Sequence, residues 1–192
     1  MQKVIWEIHY HSPLPVSKYC KKCGKKTEYI SSGQFRVNAQ RKDLDIWLIY
    51  KCLNCNTTWN VAILSRISPK SLDPELLERF HNNNETVANQ YAMDIENLRR
   101  NGGEIGLPDY EVIGDNIPFN EDVELQIKTE YQSQIKVSTI IREKLQLTQK
   151  IYEDMLANGR IKGSSAQDLR KCKLLGGIVL IINMREDILC QK

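Results

Sequence analysis

Cys20-Lys21-Lys22-Cys23-Gly24-Lys25 and Cys52-Leu53-Asn54-Cys55-Asn56-Thr57, with 28 residues between Cys23 and Cys52, are the two stretches on which the reading of this chain turns. Each Cys-x-x-Cys curls the backbone so that two sulfurs face one point. Two such knuckles supply the four thiolates of a tetrahedral zinc site. Gly24 and Asn56 follow the second cysteine of each pair and suit the positive φ that the turn requires. The spacer suits a ribbon whose knuckles are bridged by a hairpin. Reduced structural cysteines, a redox pair or a rubredoxin-like iron centre are the competing readings. The pattern predicts one structural Zn2+ on Cys20, Cys23, Cys52 and Cys55, with a filled shell and no position open for catalysis. Cys172 and Cys190 lack a partner motif and are expected as ordinary thiols, and His9, His11 and His81 as solvated or strand-face residues rather than ligands.

Outward from the cysteines the sequence reads as strand. Val4–Tyr10 is rich in β-branched and aromatic residues and stops at Ser12-Pro13. Gly33–Ala39, Leu44–Tyr50 and Thr57–Leu64 are further candidates, so residues 1–67 form a β-rich zinc ribbon. At Ser68-Pro69 the pattern changes. Asp73-Pro74-Glu75 is a helix start, with an N-cap carboxylate and Pro at the first helical position. A second helix is expected over 85–100 from Val87, Tyr91, Ile95 and Leu98, ended by Gly102-Gly103. A loop with Pro108, Gly114 and Pro118 leads to the period-two strand Val123–Lys128. Residues 68–130 are thus an acidic helical connector and strand.

In residues 131–192, Val137, Ile140, Ile141 and Leu145 share one helical face. Thr148 is the expected N-cap of a helix holding Ile151, Tyr152, Met155 and Leu156, closed by Asn158-Gly159, and Ile178–Ile182 reads as a buried strand. The fold class is α+β.

Hydrophobic residues make up 41% and charged residues 27% of the 192, ordinary for a globular chain. The start does not read as a signal peptide, and no apolar run approaches membrane-spanning length, so a cytoplasmic protein without a membrane partner is expected. The net charge of +3 conceals an uneven distribution. Residues 1–70 carry 12 Lys/Arg against 4 Asp/Glu, residues 71–130 carry 4 against 14, and residues 131–192 carry 11 against 6. Lys18, Lys21, Lys22, Lys25 and Lys26 crowd the first knuckle, followed by Arg36, Arg41 and Lys42, with Tyr29, Phe35, Trp47 and Trp59 interleaved. Lysines beside aromatics suit phosphates and bases. The same aromatics also suit a β core, and the lysines suit the negative charge of a thiolate site or of the acidic middle.

Lys136–Gln149 begins like a helix-turn-helix, but no recognition helix follows Asn158-Gly159-Arg160-Ile161. Two short helices, a Gly-Arg-Ile exit and a Gly-Gly-apolar strand resemble instead the αL RNA-binding domain of a small-subunit ribosomal protein, pseudouridine synthases and tyrosyl-tRNA synthetases. Leu145, Leu147, Thr148, Leu156, Gly159, Ile161, Gly176, Ile178 and Leu180 carry the resemblance. The departures are Gln149 or Lys150 at the family's basic position and Lys162-Gly163-Ser164-Ser165 in place of its hairpin. The resemblance implies that Lys144, Lys150, Arg160, Lys162, Arg170, Lys171 and Lys173 face RNA, adding to Lys21, Lys22, Lys25 and Lys26 at the ribbon.

Over nearly its full length the chain resembles the bacterial domain-of-unknown-function family 1062, through the four-cysteine frame, Phe35–Gln40, Trp47–Cys52 and Pro74–Phe80. That resemblance implies a cytoplasmic bacterial protein and brings no activity. The sequence holds no nucleophile–base pair, and Gly102-Gly103-Glu104-Ile105-Gly106 lacks the lysine of a phosphate loop, so an enzyme is not expected. Binding of structured RNA, ribosome or tRNA related, is the expected function. A protein-interaction module or a DNA-binding regulator is the alternative.

Overall fold

The computed structural model describes residues 1–40, 42–118, 121–163 and 168–184; Arg41, Ser164, Ser165 and Cys190 lie outside them. In chain order the elements begin with strands β1 (Gln2–Tyr10), β2 (Val16–Cys20), β3 (Lys25–Gln40), β4 (Asp43–Cys52) and β5 (Thr58–Ile67). Helices α1 (Pro74–His81), α2 (Glu85–Ala92) and α3 (Ile95–Arg100) follow, then β6 (Glu104–Ile105), β7 (Tyr110–Gly114) and β8 (Asp122–Thr129). Helices α4 (Val137–Leu145) and α5 (Gln149–Ala157) and strands β9 (Ile161–Gly163) and β10 (Gly177–Asn183) complete the series. The protein is α+β with more strand than helix. No helix among the described residues is long and apolar enough to cross a membrane.

The chain divides into two compact units, Ser12–Pro108 and a discontinuous one made of Met1–His11 with Asp109–Lys192. This division departs from three consecutive segments at 1–67, 68–130 and 131–192. The reason lies in β1. Val4, Trp6 and Ile8 alternate on one face and must be buried, and β1 meets that demand by pairing beside β8, whose Val123, Leu125 and Ile127 continue the same apolar face under α4 and α5.

In the Ser12–Pro108 unit the sheet runs β5-β4-β3-β2-β6, antiparallel throughout. Leu44, Ile46, Leu48, Tyr50 and Cys52 of β4 alternate inward. Asp73 caps α1 through the Glu75 N–H at 3.1 Å, as its sequence foretells. The helix expected over 85–100 is two helices. Asp94 accepts the Asn97 N–H at 2.9 Å and restarts the chain as α3, a local bond that competes with continuing the helix. Phe80 and Tyr91 then pack on Phe35, with Phe35–Phe80 ring centroids 4.8 Å apart. The Asn101 side chain accepts the Ala62 N–H at 2.8 Å and donates to the Ala62 carbonyl at 3.1 Å, tying the end of α3 to β5.

In the discontinuous unit the sheet runs β7-β1-β8-β10-β9, with β1 and β8 parallel. Residues expected as loop form β7, which pairs with β1 from Tyr10↔Tyr110 to Trp6↔Gly114. Gly114, at φ +141, closes against Trp6, whose indole N–H donates to the Asp115 carbonyl at 2.9 Å. Helices α4 and α5 cover the inner face through Val137, Ile140, Ile141, Ile151, Tyr152 and Met155. Thr148 caps α5 by accepting the Ile151 N–H at 3.2 Å, and Gly159 closes it at φ +66.

Candidate metal centre

The β2–β3 turn presents Cys20 and Cys23, and the β4–β5 turn presents Cys52 and Cys55. Tyr29 of β3 stands opposite Cys52 of β4, which brings the two knuckles side by side. Each turn has the same build. The Gly24 N–H donates to the Cys20 carbonyl and the Asn56 N–H to the Cys52 carbonyl, both at 2.9 Å, with φ +67 at Gly24 and +58 at Asn56. These are the two positions at which the sequence provides Gly and Asn.

All four Sγ atoms lie within 4.8 Å of one another. Cys20–Cys55 is 3.5 Å and Cys23–Cys52 is 3.9 Å. A disulfide would need about 2 Å. A tetrahedral metal with M–S bonds near 2.3 Å sets its sulfurs about 3.8 Å apart. The cluster therefore fits a tetrahedral thiolate-bound ion, and the four cysteines are positioned to bind one. Cys20 and Cys52 are fully buried, while Cys23 and Cys55 are half-buried.

A layer of hydroxyls surrounds the sulfurs. Thr27 Oγ1 is 3.2 Å from Cys52 Sγ, Thr57 Oγ1 is 3.1 Å from Cys55 Sγ, and the buried Tyr29 hydroxyl bonds Cys20. The Tyr29 hydroxyl and the Cys23 backbone N–H pull the Cys20 thiol down to about 6. The Thr27 hydroxyl, with the backbone of Asn54 and Cys55, lowers Cys52. The Cys23 thiol is pushed up to about 12, first by its bond to Cys55 and then by burial and the other sulfurs. Four sulfurs this close do not all ionise by themselves, and a cation at their centre removes the conflict. None of these hydroxyls stands out in the sequence. The available signal was a Thr shortly after each knuckle, Thr27 and Thr57.

The interleaved aromatics are largely core. Tyr29 and Tyr50 pack on Trp59 at 5.7 and 5.3 Å, and Phe35 lies between Phe80 and Tyr91. Trp47 is half-buried beneath the Arg36 guanidinium. Lys18 lies over the Trp59 ring at 4.7 Å and donates to the Asn101 carbonyl at 3.0 Å, neutralising the C-terminus of α3. Lys26 pairs with Glu104 of the acidic segment. Lys21, Lys22 and Lys25 are exposed and carry no ion pair among the described residues. Tyr19, which precedes the first knuckle and which the lysine-and-aromatic pattern passed over, is the one aromatic among the large exposed hydrophobics of the described residues.

In the discontinuous unit Lys162 and Arg170 meet, with Asp168, at an open groove of about 490 Å³. Arg170 is 3.9 Å from Asp168. Lys150 and Lys171 are exposed, whereas Lys144 donates to the Val112 carbonyl at 3.0 Å and Lys173 to Gln134. Arg160 is half-buried, and its carbonyl accepts the Asn183 N–H. His9 is exposed, 3.6 Å from Glu7, and His11 and His81 are exposed. Cys172 forms no disulfide among the described residues.

Residues 37–167 match the model of a family described as "Protein of unknown function (DUF1062)". No curated protein and no solved structure matches the chain.

Proposed function

We propose, for a chain that belongs to the DUF1062 family, that it is a zinc-containing protein that binds structured RNA of the ribosomal or tRNA kind, without catalysis. The metal is one structural Zn2+ on Cys20, Cys23, Cys52 and Cys55. A closed thiolate set makes the ion a folding element that holds the knuckles of a zinc ribbon in the strands β2–β5. Metal analysis of purified protein, with one equivalent of zinc and none of iron, tests this part.

The observation that carries the RNA reading is the set of exposed lysines, Lys21, Lys22 and Lys25, at and just after the first knuckle, which carry no ion pair among the described residues. The αL-like run of α4, α5, the Gly159 turn, β9 and β10 supports a second contact through Lys150, Lys162, Arg170 and Lys171. Phosphate neutralisation requires affinity to fall steeply with salt. Titration of the full chain with a folded tRNA and a ribosomal RNA hairpin, at 50 and 200 mM salt, is the test. Absence of binding at low salt defeats the reading, as does binding unchanged by Lys21→Glu with Lys22→Glu and by Lys150→Glu with Lys162→Glu. Duplex DNA in the same titration separates a DNA-binding regulator.

A second reading, a protein-interaction module, draws on Ile5, Ile113 and Ile181, which stand exposed on the outer face of the discontinuous unit's sheet. Affinity purification with and without nuclease distinguishes the two, because partners bridged by RNA disappear on digestion.

A further inference from the structure

We infer that the cavity at the C-terminal end of α4 is an oxyanion site, in which the Arg142 guanidinium and the Thr139 hydroxyl hold a phosphate group. The phosphate is that of an RNA backbone or of a small phosphate ester. The site stands apart from Lys21, Lys22 and Lys25 and does not need them, and on an RNA backbone it adds one contact to the RNA reading.

The helix period builds the site. Val137, Ile140 and Ile141 of α4 turn into the core. Thr139 and Arg142, three residues apart, are neighbours on the helix flank. Gln146 ends the helix in the left-handed conformation, at φ +52. With Glu143 and Leu147 these residues line a cavity of about 240 Å³. At about 30 Å³ for each water, that volume admits a phosphate and the first atoms of its ester. It falls short of the roughly 300–1,000 Å³ that encloses a drug-sized ligand.

Three consecutive charges end the helix, and two of them are answered by β7. Glu143 accepts the Tyr110 hydroxyl, and Lys144 donates to the Val112 carbonyl at 3.0 Å. Arg142 forms no hydrogen bond and no ion pair through its side chain among the described residues, although its Nε is buried. A side chain that only laid its stem along the protein would keep the whole guanidinium in water. Attraction to the helix C-terminus does not account for it either, since no carbonyl accepts the Nε–H. A buried, unanswered N–H on a cation is costly, and an anion in the cavity removes the cost. The guanidinium fork matches two oxygens of a carboxylate or a phosphate. The Thr139 hydroxyl, also without a hydrogen-bond partner among the described residues, offers one donor more, and a phosphate has a further oxygen to accept it. Glu143 is the opposing charge at this cavity, and its bond to Tyr110 draws it toward β7.

The test uses the full zinc-loaded chain with isotope-labelled arginine, and inorganic phosphate as the probe. The Arg142 Nε–H resonance, assigned by its absence in Arg142→Gln, is expected to shift saturably with phosphate. Sodium chloride and acetate at equal ionic strength leave it in place. Arg142→Gln weakens phosphate binding about tenfold or more, and Thr139→Val, which keeps the shape, weakens it about 3- to 10-fold. An RNA hairpin then distinguishes the sources. A phosphate of the RNA backbone requires the hairpin to move the same resonance and Arg142→Gln to lower the salt slope by about one. A small ester as ligand requires the hairpin to leave resonance and slope unchanged while phosphate still binds. An Nε–H resonance that phosphate does not move, or that acetate moves as far, overturns the site, as does equal phosphate affinity in wild type and Arg142→Gln. Failure of every RNA to bind defeats the RNA reading and leaves this site standing. Retained zinc content and circular dichroism exclude misfolding, and Thr139→Val keeps the test decisive where Arg142→Gln does not fold.

Discussion

The hydroxyl of Thr27, a residue 7% exposed on β3, lies 3.2 Å from the sulfur of Cys52 on the neighbouring strand. A buried hydroxyl with a sulfur partner is satisfied only if that sulfur keeps its position, and a thiolate gains from the donor. Thr27 therefore orients and stabilises a sulfur that is positioned to bind a metal, without offering a thiolate itself. Thr27→Val, which keeps the shape and removes the donor, is expected to weaken metal binding about tenfold or more. Competition with a chromophoric chelator measures it, and the d–d bands of the cobalt-substituted protein report whether the tetrahedral set survives. Unchanged affinity would show that the hydroxyl only fills space.

With the proposed zinc in place, its removal is expected to act on Ser12–Pro108. Both knuckles lie at strand ends of its sheet, and four crowded sulfurs without a cation oppose their closure. Chelation is expected to lose the strand signal and the protease resistance of this unit. Re-addition of zinc restores them. Peptide mapping of the digest identifies the unit, and a metal-free sample with intact β2–β5 refutes the expectation.

The first eleven residues belong to the other unit. A chain lacking 1–11 is expected to lose the order of Asp109–Lys192 while still binding cobalt with a tetrathiolate spectrum. Gly114→Ala probes the same junction. At φ +141 a Cβ there meets the Ile5 carbonyl oxygen at 2.3 Å and the Trp6 ring at 2.6 Å. A cost of about 2–3 kcal/mol is expected. Denaturant unfolding, followed through Trp6 in a variant with its other tryptophans replaced, reads it.

Tyr50 is fully buried, and its hydroxyl meets no hydrogen-bond partner among the described residues. The ring supplies the packing against Trp59, and burial drives the phenol's ionisation far above its usual range. Tyr50→Phe keeps the ring and removes an unsatisfied group, so stability is expected to hold or to rise by about 1 kcal/mol. Urea unfolding of the two proteins decides it, and a loss of more than 1 kcal/mol would reveal a hydrogen bond to the hydroxyl.

Local chemistry was readable in the sequence by itself. The cysteine spacing, Gly24 and Asn56 at the knuckles, Asp73-Pro74 and Thr148 as helix starts, the strand composition of β1 and β4 and the period-two run of β8 are determined within a few residues of themselves, because ligand geometry, capping and face alternation are short-range effects. Pairing was not readable. The alternation of Val4, Trp6 and Ile8 demands burial but does not say beside which strand β1 pairs or what covers that face, and the partner β8 and the covering helices α4 and α5 lie more than a hundred residues away. The same holds for the aromatics. Composition set Tyr29, Phe35 and Trp59 beside lysines, but only the packing of β3 against β4 and the helices turned them inward and left Tyr19 outside. Around the sulfurs, four cysteines in two pairs sufficed to foresee the cluster. Only the side-by-side strands decided that Thr27, Tyr29 and Thr57 would supply the hydroxyls that hold it.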